Sequence, residues 1–123
     1  MNRFAALGLL AEALDGKQIA VLSHNSVASE AALEMVLASA SAFIGSDGSI
    51  DELNLTVRRA NGDQQIRTPE DGRIRFVSVG HRSTARLRGI RLDAVLLEPG
   101  AVSMLDPHDL MSIAARGTDV VRA

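Results

Sequence analysis

The chain of 123 residues has no cysteine, tryptophan or tyrosine, and it contains only three phenylalanines. The absence of cysteine excludes disulfide bonds, thiol catalysis and thiolate metal ligands, and it predicts a cytoplasmic location. Because aromatic side chains are so few, the core has to be built from aliphatic residues and methionine. No apolar run is long enough to span a membrane, so no membrane partner is expected. An apolar fraction of 46% and this length predict one globular domain over residues 1–123.

Sites for metals and cofactors are also missing from the sequence. The three histidines, His24, His81 and His108, have no metal-ligand spacing, and no local cluster of acids accompanies them. No serine lies in a G-x-S-x-G motif, so a serine nucleophile is not expected. We therefore predict no metal, no cofactor and no catalytic residue.

The charge distribution is more informative than the net charge of −2. Residues 51–92 hold nine arginines against five acidic residues, and both flanking segments are acidic. Arginine suits bidentate contacts with phosphate, which favours an anion or nucleic-acid surface. Its candidate residues are Arg58, Arg59, His81, Arg82, Arg86, Arg88 and Arg91. The alternative is that the arginines lie on solvated strand faces and pair with acids of the same segment, which are Asp51, Glu52, Asp63, Glu70 and Asp71.

The hydrophobic pattern predicts alternating helices and strands. The expected elements are a helix over about 2–15, a buried strand at Gln18–Ser23, a helix capped by Ser26 and running to about Phe43, an antiparallel meander at about 53–79, a strand at Asp93–Leu97, a helix from Asp106 to about Ala115, and a last strand at Thr118–Arg122. Strands joined through helices favour a parallel sheet. The predicted fold class is thus α/β, with a mostly parallel sheet flanked by helices and an inserted antiparallel β-meander.

Four segments carry a family resemblance. They are IAVLSHN, the Ala-rich helix after it, DGRIRFVSV, and STARLRGIRLDAVLLE. Together they resemble the central part of the P-loop ATPase domain of phage large terminases, in which a serine-rich loop leads to Arg-Gly, an Asp opens the next strand, and Asp-Glu ends it. Ser83, Arg88-Gly89, Asp93 and Glu98 fall in those places. The resemblance implies a RecA-like terminase fold and a bacteriophage protein in the cytoplasm of the bacterial host.

The departures from that family concern its chemistry. The chain contains no G-x-x-x-x-G-K-[ST] phosphate loop, and Gly16-Lys17 follows a predicted helix where a phosphate loop would have to precede one. We expect a truncated domain that lacks the Walker A strand and loop. Glu98 occupies a degenerate Walker B position, because Pro99 replaces the second carboxylate. ATP hydrolysis is therefore not expected, since both the phosphate cradle and the acidic pair are missing.

The resemblance also predicts how the protein acts. The missing first strand would lie beside Thr118–Arg122, which leaves Val120 and Val121 on an uncovered edge that is prone to pairing. We expect a non-catalytic, degenerate ATPase that works by self-association as a homo-oligomer or by binding a protein partner. Two alternatives remain open. One is nucleic-acid binding through the Arg-rich segment 58–91, and the other is one part of a split ATPase whose phosphate loop comes from another chain.

Overall fold

The computed structural model describes residues 1–60, 63–79, 87, 90–104 and 118–122. Three helices and six strands lie in these ranges, with two short 3₁₀ turns at Ala40–Phe43 and Ile50–Leu53. In chain order the elements are α1 (Arg3–Leu14), β1 (Gln18–Ser23), α2 (Ser26–Ser39), β2 (Thr56–Ala60), β3 (Asp63–Arg67), β4 (Arg73–Ser78), β5 (Ala94–Leu97), α3 (Ala101–Met104) and β6 (Asp119–Arg122). The predicted helix from Asp106 to Ala115 lies outside the described residues.

The strands form one sheet in the order β2-β3-β4-β1-β5-β6. β1 lies at its centre and pairs in parallel with β4 and β5, and β5 pairs in parallel with β6. β2, β3 and β4 form an antiparallel meander. The predicted α/β class and the inserted meander are confirmed. The sheet is mixed, with three parallel and two antiparallel pairings, so the expected mostly parallel sheet is only partly confirmed.

Helices α1 and α2 cover one face of the sheet. Their buried residues pack on inward-facing residues of β1, β3 and β4, which are Ile19, Val21, Ile66, Ile74 and Phe76. β1 is buried on both faces because it lies in the middle of the sheet, as its continuous apolar sequence predicts. β4 alternates buried and partly exposed positions, as its pattern of apolar and charged residues predicts.

A second, smaller core covers part of the opposite face. Ala20 and Leu22 of β1 and Val95 and Leu97 of β5 pack there against three residues from outside the sheet, which are Leu87, Leu92 and Ala101. This core lies over the β1–β5 half of the sheet. The meander half of the same face carries polar side chains.

Helix α2 differs in detail from the prediction. Its N-cap is Asn25, whose Oδ1 accepts a hydrogen bond from the Ala28 N–H at 2.8 Å, so the expectation of a Ser26 cap is wrong. Asn25 has extended backbone angles, which let its short side chain reach the free N–H groups of the first turn. The buried residues are Ser29, Ala32, Leu33 and Val36, and Met35 is exposed. The helix is apolar around much of its circumference, so periodicity alone does not fix the buried side.

The meander begins later than predicted. Residues Ile50–Leu53 form a 3₁₀ turn, and Asn54 then adopts a left-handed conformation with φ of 50°. Ser49 caps this turn, because its Oγ accepts a hydrogen bond from the Asp51 N–H at 3.3 Å. The strand β2 therefore starts at Thr56 and not at Leu53.

The turn between β3 and β4 holds the end of α1. Thr68 is 3% exposed, and its Oγ1 donates a hydrogen bond to the Ala13 carbonyl at 2.8 Å and accepts one from the Gly72 N–H at 3.0 Å. The Thr68 N–H in turn donates to the Gly72 carbonyl at 2.9 Å. A Cβ added at Gly72 would lie 1.7 Å from the Ala13 carbonyl oxygen, so only glycine fits this approach.

Within the described ranges, no helix combines the length and the apolar character that crossing a membrane requires.

Candidate functional site

The carboxyl end of β5 carries Glu98, the acid for which the resemblance to terminases predicts a degenerate Walker B position. Glu98 follows β5 directly and is 6% exposed. Its Oε1 accepts a hydrogen bond from Ser23 Oγ at 2.5 Å, and its Oε2 lies 2.7 Å from the amino group of Met1. Ser23 ends the neighbouring strand β1, so parallel pairing brings the two side chains together. Both carboxylate oxygens are therefore engaged by groups of this chain.

The neighbouring polar residues do not extend this pair into a larger polar site. His24 is exposed and lies beside Gly100, where an added Cβ would be 3.4 Å from its Nδ1. Asp93 lies at the other end of β5, and its Oδ2 accepts a hydrogen bond from the Gln18 N–H at 2.8 Å. That carboxylate fixes the start of β1. In the part of the chain that the structure describes, no group of three His, Asp or Glu side chains could hold a metal ion.

β6 forms one edge of the sheet, and among the described residues β5 is its only neighbouring strand. The Asp119 N–H donates a hydrogen bond to the Asp93 carbonyl at 3.0 Å. Because successive residues of a strand direct their backbone groups to opposite sides, the N–H and C=O of Val120 point away from β5. Val120 and Val121 are 41% and 49% exposed. The structure thus brings the two predicted interface residues to a sheet edge.

A groove of about 480 Å³ runs between α1 and the β5–β6 side of the sheet. Its floor is apolar and includes Ile19, Leu96 and Val121, and α1 contributes Ala5 and Leu9. Its polar residues gather where α1 ends and three of the parallel strands begin, and they are Glu12, Lys17, Asp93 and Asp119. The groove lies directly beside the exposed edge, so any strand added to β6 would border it.

The arginines proposed from the sequence fall on different surfaces. Arg58 and Arg59 are adjacent in β2 and point to opposite faces of the sheet. Arg58 Nε lies 3.0 Å from Asp63 Oδ2, whereas Arg59 forms an ion pair with Glu34 of α2 on the other face. One flat binding surface therefore does not include both. Arg91 is exposed. The remaining candidates lie outside the described residues, and they are His81, Arg82, Arg86 and Arg88.

Sequence reasoning missed Arg73 and Arg75 of β4 as site residues. They share the polar face of the meander, where Arg75 Nη1 donates a hydrogen bond to Gln18 Oε1 at 3.3 Å. Among the described residues neither has a carboxylate oxygen within 4.0 Å, and the buried Arg73 Nε has no hydrogen-bond acceptor. Burial, followed by the charge of Arg73, lowers the pKa of Arg75, and the opposing effect of Asp63 is smaller. The R-x-R spacing in an alternating strand was the available signal.

Comparison with known proteins found no matching family model, no matching curated protein and no matching solved structure. The resemblance to phage large terminases therefore stays a prediction.

Proposed function

We propose that the chain is a non-catalytic protein of the phage terminase-ATPase type that acts by self-association through the edge strand β6. The observation that carries the proposal is the position of Val120 and Val121 on that edge, half exposed and with outward-pointing backbone groups at Val120. A second copy of the same strand would pair with those groups and cover the apolar side chains.

The contrast between the two edges of the sheet supports this choice. Proteins usually protect an edge strand with charged side chains, proline or a bulge, since an open edge invites pairing with another chain. β2, the opposite edge, carries Arg58 and Arg59 in its middle, both held in ion pairs. The middle of β6 consists of two valines. β6 is therefore the edge that is less protected against pairing.

The geometry of β6 allows a symmetric pairing. Two antiparallel copies related by a twofold axis perpendicular to the sheet can meet with Val120 opposite Val120, because its N–H and C=O point outward on both strands. In this register Asp119 lies opposite Val121 of the second copy, so no acid faces another acid. The continuous sheet would contain twelve strands and would keep the same register in each half.

The composition of α1 fits an interface beside β6. Its sequence, RFAALGLLAEAL, is apolar on more than the side that packs on the sheet. Phe4 is 76% exposed, and Ala5 and Leu9 line the groove next to β6. A helix that is apolar on two sides usually contacts protein on both. A second copy paired at β6 would border this surface as well.

The chemistry around Glu98 supports the non-catalytic part of the proposal. A P-loop ATPase needs a phosphate cradle and a carboxylate that is free to act on magnesium or water. The 123 residues contain no phosphate-loop motif, and Pro99 follows Glu98 where the family has a second carboxylate. Ser23 Oγ donates a hydrogen bond to Oε1 of Glu98, which engages one oxygen of that carboxylate. The parallel order β1-β5-β6, with Glu98 at the tip of its middle strand, supports the terminase-type assignment.

Sedimentation equilibrium over a range of micromolar concentrations tests the proposed self-association. We expect the native chain to be dimeric and Val120→Pro to be monomeric. Proline at this position removes the outward N–H and leaves the pairing with β5 intact, because the Val120 N–H does not point to β5. Val120→Thr is the matched control, since it keeps the outward N–H and the β-branched shape and should remain dimeric.

Two results would contradict the proposal. A native chain with the mass of one copy throughout the concentration range would exclude self-association. A Val120→Pro variant that stays dimeric, with an unchanged circular dichroism spectrum, would place the interface away from β6.

A further inference from the structure

The meander carries a polar surface on the sheet face opposite α1 and α2. Adjacent strands align its residues in two rows across the sheet, about 5 Å apart from strand to strand. Gln18 of β1, Arg73 of β4 and Arg67 of β3 form the first row. Arg75 of β4 stands in the second row, where its neighbours are Ala20 of β1, Gln65 of β3 and, one strand further, Arg58 of β2.

Among the described residues, acidic side chains form ion pairs with the outer arginines of this surface and not with the inner ones. Arg58 forms an ion pair with Asp63 at 3.0 Å, and Arg67 forms one with Asp71 at 3.0 Å. Arg73 and Arg75, on the strand between β3 and β1, have no carboxylate within 4.0 Å among residues 1–60, 63–79, 87, 90–104 and 118–122. They are two residues apart on one face, so their like charges repel each other without a counter-ion.

Among the described residues, the hydrogen bonding of the two arginines is also incomplete. Arg73 Nε is buried and has no acceptor in the described part of the chain, although buried donors are almost always paired. Arg75 donates to Gln18 Oε1 at 3.3 Å, and Gln18 Nε2 is itself tied to the Asp71 carbonyl at 2.6 Å. Gln18 therefore holds one arginine in place and cannot neutralise its charge.

We propose that Arg73 and Arg75 form a binding site for a phosphate oxyanion, with Gln18 positioning Arg75. A phosphate supplies several acceptor oxygens in the arrangement that guanidinium groups contact bidentately. A phosphate monoester carries about two negative charges near neutral pH, which matches two arginines better than a single carboxylate does. The site lies on the meander, apart from the β6 edge, so it stands independently of self-association. The phosphate belongs either to a small molecule or to a nucleic-acid backbone.

Two-dimensional NMR of the native protein, titrated with inorganic phosphate at low salt, tests the site. The Nε–H signals of Arg73 and Arg75 should shift with phosphate concentration. Arg73→Gln and Arg75→Gln should each weaken binding roughly tenfold to a hundredfold, as expected for the loss of a charge-assisted hydrogen bond. Gln18→Leu keeps the backbone bonds of β1 and all charges, and it should weaken binding less than the loss of either arginine.

Arg59→Gln is the matched control, because it removes one positive charge from the opposite face of the same sheet. It should leave phosphate affinity within about twofold of the native value, since exposed charges at a distance are screened by solvent and salt. Equal losses in Arg59→Gln and Arg75→Gln would show a general charge effect and would overturn the proposal. A native protein whose arginine signals do not respond to phosphate would also overturn it.

A second titration with a short oligothymidylate distinguishes the sources of the phosphate. Binding that is tighter than that of inorganic phosphate, falls steeply with salt and is lost in Arg75→Gln would identify a nucleic-acid backbone as the ligand. A response to inorganic phosphate without oligonucleotide binding would identify a small phosphorylated molecule. Either result supports the site. Oligonucleotide binding that is unchanged in both Arg73→Gln and Arg75→Gln would contradict it.

Discussion

Replacing Thr68 with valine should destabilise the protein by about 1.5–4.5 kcal/mol, although the two side chains have nearly the same shape. The substitution removes one hydroxyl group that joins the end of α1 to the β3–β4 turn. The Gly72 N–H would lose the acceptor Thr68 Oγ1 and stay buried, which costs about 1–3 kcal/mol. The Ala13 carbonyl would lose one donor but keep the Gly16 N–H at 3.0 Å. That second loss is smaller, about 0.5–1.5 kcal/mol.

Urea denaturation followed by circular dichroism measures this effect. With a urea dependence of about 2 kcal/mol per molar, the midpoint of Thr68→Val should fall by roughly 1–2 M. Thr56→Val is the matched control, because this substitution makes the same chemical change at an exposed position of β2. It should change stability by no more than about 0.5 kcal/mol. Equal midpoints for the two variants would refute the role assigned to the hydroxyl of Thr68.

Two further pairs of substitutions test contacts at the start of β4 and at the end of β1. Gly72→Ala should cost more than about 3 kcal/mol or prevent folding, because its Cβ would overlap a backbone carbonyl of α1. Gly8→Ala should instead stabilise α1 by about 0.5–1 kcal/mol, since nothing lies within 4 Å of the added atom. Urea midpoints that rank the two variants in the opposite order would contradict this. Ser23→Ala should cost about 1.5–3 kcal/mol through the lost hydrogen bond to the Glu98 carboxylate, and the exposed Ser41→Ala should be nearly neutral. Thermal unfolding of both serine variants should separate them clearly, and similar melting temperatures would argue against a structural role for that bond.

Local patterns were sufficient to predict the elements of the sheet. The continuous apolar run of β1 indicated a strand buried on both faces, and the alternation along β4 identified its buried and polar sides. The segment between β3 and β4, Thr68–Gly72, has the sequence TPEDG, whose residues are typical of a turn. Each of these signals depends on residues that are close in sequence, which is where propensity and periodicity are informative.

Features that depend on packing between distant segments were harder to predict. The buried side of α2 is set by its contacts with α1 and β4, and an Ala-rich helix offers several equally apolar sides. The ion pair between Arg59 and Glu34 could not be predicted without knowing that α2 packs on the sheet face to which Arg59 points. In the same way, it becomes visible only once Asp63 and Asp71 are placed beside other arginines that no carboxylate of the described residues lies within 4.0 Å of Arg73 or Arg75.

The central position of β1 has a consequence for the way the chain folds. Its two neighbours come from far along the sequence, since 75 positions separate Gln18 from its partner Asp93 beside β5. Pairing between such distant segments raises the contact order, and the entropy lost in closing the long loops between them slows folding. During synthesis the edge of the apolar strand β1 that pairs with β5 therefore stays unpaired until residues 94–97 leave the ribosome. Early α1–α2 packing, which needs only the first 39 residues, is the contact best able to shield that strand in the interval.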